Sequence, residues 1–192
     1  MEQVAASGFL TTAFESAAEE LADFDAVVRL HWPAVFRFTL ASLRDRDAAQ
    51  TLTQDCFMNA WRGRGTFRGG STVKTWIMRI AVNLVRDHAR NRRLQFWKRT
   101  TARALDIQEA GERIPDEQIS SEARVLRNER IRAVWDVSAT LPERQRTVFL
   151  LRFVEDMDLR EIAAAMGLQE GTVKVHLFRA VESVRERLGG TE

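Results

Sequence analysis

Between Thr75 and Arg93 the apolar residues Ile77, Ile80, Ala81, Leu84 and Val85 recur at helical spacing, while Arg79, Asn83, Arg86 and Arg90 recur at i, i+4, i+7 and i+11 on another side. One helix therefore carries both a stripe to bury and a basic strip with a single amide in it. Helical periodicity recurs through most of the chain, and no sustained two-residue alternation marks a strand. Proline occurs only at 33, 115 and 142. These features predict an all-α protein. At 192 residues, with 45% hydrophobic content, the chain has room for one domain or two small ones, with a real core.

The net charge of +2 hides a strong segregation. Residues 1–25 carry six acids and no base, whereas residues 62–103 carry twelve bases and one acid, Asp87. Residues 104–129 are acidic again, with seven acids against three bases, and 130–192 balance at ten each. A basic patch of that density attracts a polyanion, and its affinity falls steeply with salt as counterions are released. Arginine suits phosphate because its guanidinium is a planar, permanently charged fork, and an Asn amide both donates to and accepts from a base edge. The loop before the helix, with Phe67, Arg68, Gly69, Gly70, Ser71, Thr72 and Lys74, combines an aromatic, small hydroxyls and free backbone. Such a loop suits an unstacked base. The competing readings are a merely solvated basic face and a membrane-surface helix; the amide and the hydroxyl loop favour nucleic acid.

In chain order, residues 11–21 form a candidate short acidic helix. From Asp25 a second helix places Val27, Val28, Leu30, Val35, Phe36 and Leu40 inward, with Pro33 predicting a kink or a restart. The polar turn 43–47 follows, and Asp47 is a candidate cap for a helix whose apolar face is Leu52, Cys56, Phe57, Ala60 and Trp61. Gln54, Asp55, Met58 and Arg62 lie away from that face. Cys56 cannot form an internal disulfide, being the only cysteine, and reads as a buried structural thiol. His31, His88 and His176 are scattered and suggest no metal site. After Arg93 the periodicity fades and the charge reverses, so residues 94–121 read as a flexible linker, about 90 Å long if fully extended.

A second domain starts near Glu122. Val125, Ile131, Val134, Trp135 and Val137 mark one helix, and Leu141-Pro142-Glu143 opens another through Val148, Phe149, Leu151 and Phe153. Residues 159–188 then read as a helix-turn-helix: Leu159, Ile162 and Ala163 pack the first helix, Gly167 gives the turn, and Val173, Leu177, Val181, Val184 and Leu188 face inward on the second. Thr172, His176, Arg179 and Ser183 face outward, and Thr172, Lys174, Val175, His176 and Arg179 are what a major groove would meet.

Three strings now carry a family resemblance: TLTQDCFMNAWR (51–62), FRGGSTVKTWIMRIAVNLVRDHARNRR (67–93) and LPERQRTVFLLRFVEDMDLREIAAAMGLQEGTVKVHLFRA (141–180). In this order they resemble an RNA polymerase sigma factor of the extracytoplasmic-function type, which keeps two domains called sigma 2 and sigma 4. The resemblance implies sigma 2 at 25–93, the linker, and sigma 4 at 122–192, while the acidic extension at 1–24 matches nothing in the family pattern. It implies docking on core RNA polymerase through Gln54, Asp55, Met58 and Arg62. Melting and reading of the minus-ten element would fall to Phe67, Arg68, Ser71, Thr72, Lys74, Trp76, Arg79, Asn83, Arg86 and Arg90. The minus-thirty-five element would be read by Thr172, Lys174, Val175, His176 and Arg179. It also implies promoter DNA and an anti-sigma factor as partners, no enzyme activity, no cofactor and no metal.

Some positions depart from that pattern. Thr51 stands where an acid is usual, Gly63 and Gly65 loosen a turn, and Val175, His176 and Phe178 replace commoner residues of the recognition helix. Rival readings are a stand-alone helix-turn-helix regulator of response-regulator type, a nuclease and a module binding acidic proteins. The first leaves residues 51–93 unexplained, and the second lacks clustered carboxylates on the basic strip. The acidic N-terminus has no basic start or apolar core of a signal peptide, and no run reaches the roughly 18 apolar residues of a membrane span, so a cytoplasmic protein is expected.

Overall fold

The computed structural model describes residues 19–100 and 134–189, and all regular structure among them is helical. The first body is built from α1 (Phe24–Leu43), α2 (Arg46–Gly63), a short 3-10 turn (Arg64–Thr66) and α3 (Val73–Thr100). The second contains a helical segment at 134–139, then α4 (Glu143–Phe153), α5 (Leu159–Met166) and α6 (Glu170–Gly189). Two helical domains are thus present as expected. The 11–18 part of the predicted helix at 11–21, the 101–121 part of the linker, and Val125 and Ile131 lie outside the described residues, while residues 19–21 are helical.

Local chemistry starts and stops these helices. Asp23 caps α1 by accepting from the Ala26 amide at 3.0 Å. Arg44 ends it in the left-handed region at φ 54°. The cap of α2 is Asp45, not Asp47: its side chain accepts from the Ala48 amide at 3.0 Å, which leaves Asp47 in the first turn, where an acid still complements the helix dipole. A capping box holds α5, with Asp158 accepting from the Glu161 amide at 2.8 Å and Glu161 accepting from the Asp158 amide at 2.9 Å. The turn to α6 is made by Gly167 at φ 65°, a conformation that a Cβ would strain.

Several expected faces are corrected. Helix α1 runs unbroken through Pro33, with that residue exposed. Its core side is Phe24, Val27, His31, Val35, Phe38, Thr39 and Ser42, while Leu30 is 67% exposed. His31 reaches the inside because Glu20 Oε1 lies 3.4 Å from its Nε2. Thr39 is admitted because its hydroxyl bonds to the Val35 carbonyl and meets Thr53 Oγ1 at 3.1 Å. Trp61, Phe153 and Leu188 face solvent instead of the core, at 47%, 55% and 38% exposure, and Ala180 is buried where no apolar contact was expected. Helix α3 continues to Thr100, so the first residues of the predicted linker extend the basic helix.

The two bodies touch. Helix α3 packs against α1 and α2 on one side and α5 on another, and α1 also meets α4. Beyond Ile77, Ala81 and Val85, α3 buries Thr75, Met78 and Val82, which the simple stripe had left out, because a second domain covers a second side of the helix.

Candidate nucleic-acid interface

Three exposed surfaces gather the candidate residues. On α2, Thr51, Gln54, Asp55, Met58, Trp61 and Arg62 are all exposed and follow one another at spacings of three and four, opposite the buried Leu52, Cys56, Phe57 and Ala60. This is a continuous polar and apolar strip suited to a protein partner, with Met58 half exposed at its centre. Trp61, which the sequence placed inside, belongs to it. Its ring is held edge-on by Phe24 at 5.2 Å and capped by the Arg64 guanidinium at 3.3 Å, so it stands out rigidly. Behind the strip, burial pushes the Cys56 thiol up to about 12, and its Sγ bonds to the Ile77 carbonyl at 3.5 Å; it is structural, as expected.

The second surface is the loop and outer side of α3. Arg79, Arg86 and Arg90 are exposed and Asn83 is half-buried among them. Asn83 Oδ1 accepts from Arg86 Nη2 at 2.8 Å, which leaves the amide nitrogen as the group free to meet a base edge. Arg90 pairs with Asp87 at 3.3 Å. Phe67 and Trp76 pack together at 5.0 Å, both half-buried against the core, and Gly63 has no side chain where its Cβ would come 3.5 Å from the Trp76 ring. The pair is half core and half surface. The hydroxyls are partly engaged: Thr72 Oγ1 caps α3 by accepting from the Thr75 amide at 3.1 Å and donates to Thr75 Oγ1, and Ser71 Oγ donates to the Thr72 carbonyl at 3.3 Å. Arg68 is exposed, with no ion pair among the described residues. Lys74 points away from the others, toward the second body, where it donates to the Glu155 carbonyl at 2.7 Å.

The third surface is the start of α6. Thr172, Lys174, Val175 and Arg179 are exposed, as a helix entering a groove requires. His176 is only half exposed, and its Nδ1 is buried with no hydrogen-bond partner among the described residues. Phe178, 67% exposed between Val175 and Arg179, joins this face; its i+3 spacing from Val175 was the available signal. What sequence reasoning missed altogether is Glu155. Its side chain is 1% exposed and bonded by Arg37, and burial raises its carboxyl above the ordinary range against the opposing pull of Arg37 and Lys74.

Among the described residues the chain is all-helical, with a basic helix in one body and a helix-turn-helix in the other, the class of a protein with two small helical heads. Residues 27–95 match the family Sigma-70 region 2, and residues 131–184 match Sigma-70, region 4. RNA polymerase sigma-H factor of Pseudomonas aeruginosa is 33% identical over 167 residues, 86% of each chain. The ECF RNA polymerase sigma-E factor of Escherichia coli is 31% identical over 71% of this chain and 72% of its own. Among solved structures, the sigma factor RpoE in complex with the anti-sigma factor NepR from Bartonella quintana superposes with a TM-score of 0.72 over 88% of this chain and 99% of that one, at 24% identity. CnrH in complex with the cytosolic domain of CnrY gives 0.64 over 94% and 97%, at 20% identity. The chain belongs to the sigma-70 family of RNA polymerase sigma factors, in its extracytoplasmic-function type.

Proposed function

We propose that this chain is an alternative sigma factor that binds core RNA polymerase, directs it to particular promoters and assists their melting. The observation that carries the reading is the joint match to regions 2 and 4 across residues 27–95 and 131–184. The region 2 match also disfavours a stand-alone response-regulator type of protein, in which residues 27–95 would have no role.

The roles of the residues follow from chemistry. The α2 strip around Gln54, Asp55, Met58 and Arg62, extended by Trp61, docks on polymerase. A base leaving the stack costs a few kcal/mol, which capture against protein offsets. The Phe67–Trp76 pair offers the stacking surface, Asn83 a donor to a base edge, and Arg68, Arg79, Arg86 and Arg90 meet phosphates. Thr172, Lys174, Val175, His176 and Arg179 read the upstream element. The catalytic work belongs to the polymerase, so the chain is no enzyme and uses no cofactor. An anti-sigma factor completes the set of partners, a reading supported by the structural relative RpoE, which is bound to the anti-sigma factor NepR. The site of action is the cytoplasm; among the described residues no helix is long and apolar enough to cross a membrane. Reconstitution with core polymerase and selection of bound promoters from random DNA tests the proposal. Recovery of sequences sharing two spaced elements is the expected result, and polymerase binding no better than without the chain would refute it.

A further inference from the structure

The seam between the two bodies holds a cavity of about 200 Å³, lined by none of the residues assigned to polymerase or DNA. Ser42 at the end of α1, His88 and Arg92 on α3, and Glu143, Arg146 and Thr147 in the opening turns of α4 supply its polar lining, and the rest is aliphatic. Two arginines and a histidine thus share the space with one carboxylate. Thr147 is already engaged, donating to the Glu143 carbonyl at 2.9 Å.

This lining calls for an electron-rich guest. Helix α4 begins after Pro142 with no side-chain cap, so its first amides lack an intrahelical partner and, with the helix dipole, favour an anion. Arg146, in the next turn of the same wall, is half-buried and has no ion pair among the described residues. Its Nη1 donates to the Ala139 carbonyl at 3.3 Å, which occupies one N–H of the guanidinium fork. Burial makes its charge costly and lowers its pKa; Glu143 offsets part of that effect and Arg44 adds to it. Ser42 is 7% exposed, and its Oγ is buried with no hydrogen-bond partner among the described residues. A helical serine can donate to the carbonyl four residues back, and this one does not. Untethered, the hydroxyl turns between staggered positions without losing a bond.

Other guests fit less well. Among the described residues no cluster of His, Cys, Asp and Glu could hold a metal ion. An amine would meet two guanidinium charges, and an apolar guest would leave Ser42 and Arg146 unpaired. Donors reaching in from three helices suit a tetrahedral anion, which accepts in several directions, better than a planar carboxylate. We propose that this cavity binds a phosphate group, held by Arg146 and Arg92 across the seam, by the start of α4 and by the Ser42 hydroxyl. The ligand is free phosphate or the phosphate end of a small ester; the cavity is several times the roughly 30 Å³ that one water takes up.

Titration calorimetry of the full chain at matched ionic strength tests this, with inorganic phosphate and ribose 5-phosphate as probes and chloride as the blank. Saturable binding of at least one probe is expected. Tighter ribose 5-phosphate would identify an ester ligand, and equal or tighter inorganic phosphate the free ion, each in support of the site. Arg146→Gln should weaken binding about tenfold or more, since it removes charge-assisted hydrogen bonds. Ser42→Ala should weaken it about threefold or more, yet keep the unfolding midpoint in chloride at or above the parent's, because its hydroxyl has no bond to lose. That pairing separates a lost site from a lost fold. Arg86→Ala, on the outer strip, should bind both probes as the parent does. No saturable binding, undiminished affinity in Ser42→Ala and Arg146→Gln, or a loss confined to Arg86→Ala would overturn the proposal.

Discussion

Arg86 puts a number on the basic strip. Its guanidinium is exposed and donates to Asn83 Oδ1 at 2.8 Å, so it stands beside the amide that is proposed to read a base. Each neutralised phosphate contributes a slope of about −0.9 to log affinity against log salt on duplex DNA and about −0.7 on a single strand. Between 50 and 200 mM salt the logarithm of concentration rises by about 0.6, so one contact is worth about a threefold loss over that range. Arg86→Ala should therefore be about threefold less sensitive to that change than the parent, and evenly so across promoter sequences. Arg90 must first give up Asp87 at 3.3 Å, so Arg90→Ala should flatten the slope less. Asn83→Ala should leave the slope alone and weaken discrimination at one non-template base. Because Asn83 and Arg86 touch, their double variant should depart from additivity by about 0.5 kcal/mol, the low end for contacting pairs, since the pair is open to solvent. Anisotropy titrations of the reconstituted holoenzyme on bubble templates carrying each of the four bases supply all of these values. An Arg86→Ala slope equal to the parent's, or a loss confined to one base, would refute the phosphate role.

Replacing Gln54 and Asp55 together with Ala should weaken association with core polymerase at unchanged helix content; equal affinity would remove the α2 strip from the docking surface. Cys56 should resist a thiol reagent at pH 8 until denaturant is added. Its native proton is held to about 12 against an ordinary 9.0, so its contribution to stability is complete below 9 and declines as pH rises from there toward 12, visible as a falling urea midpoint. Leu150→Ala removes a side chain with no exposure and should cost about 2–5 kcal/mol in thermal or urea unfolding; a midpoint within error of the parent would contradict the packing of α4. Thr72→Ala deletes the α3 cap and should cost about 0.5–2 kcal/mol; slower promoter opening at unchanged stability would instead give that hydroxyl a direct DNA role.

Amino-acid order alone was enough for the all-helical class, the two domains, the strip at Gln54, Asp55, Met58 and Arg62, and the basic side of α3. Each depends on spacing along one helix, and a period of 3.6 residues converts spacing into a shared side without knowledge of any neighbour. The cap at Asp45 was misplaced by two residues because either Asp has the chemistry, and only the backbone conformation chooses between them. Tertiary structure decided what hydropathy cannot. Leu30, Trp61, Phe153 and Leu188 are apolar yet exposed, while Met78 and Val82 lie buried outside the expected stripe, because burial depends on which helix arrives from elsewhere in the chain. Glu155 shows this most clearly. As a single acid between Val154 and Asp156 it carries no signal, and its meaning comes from Arg37 and Lys74, 118 and 81 residues away in sequence. Charge and period are local properties, but an ion pair between domains, with its Glu155 carboxylate buried, exists only once the chain has folded back on itself.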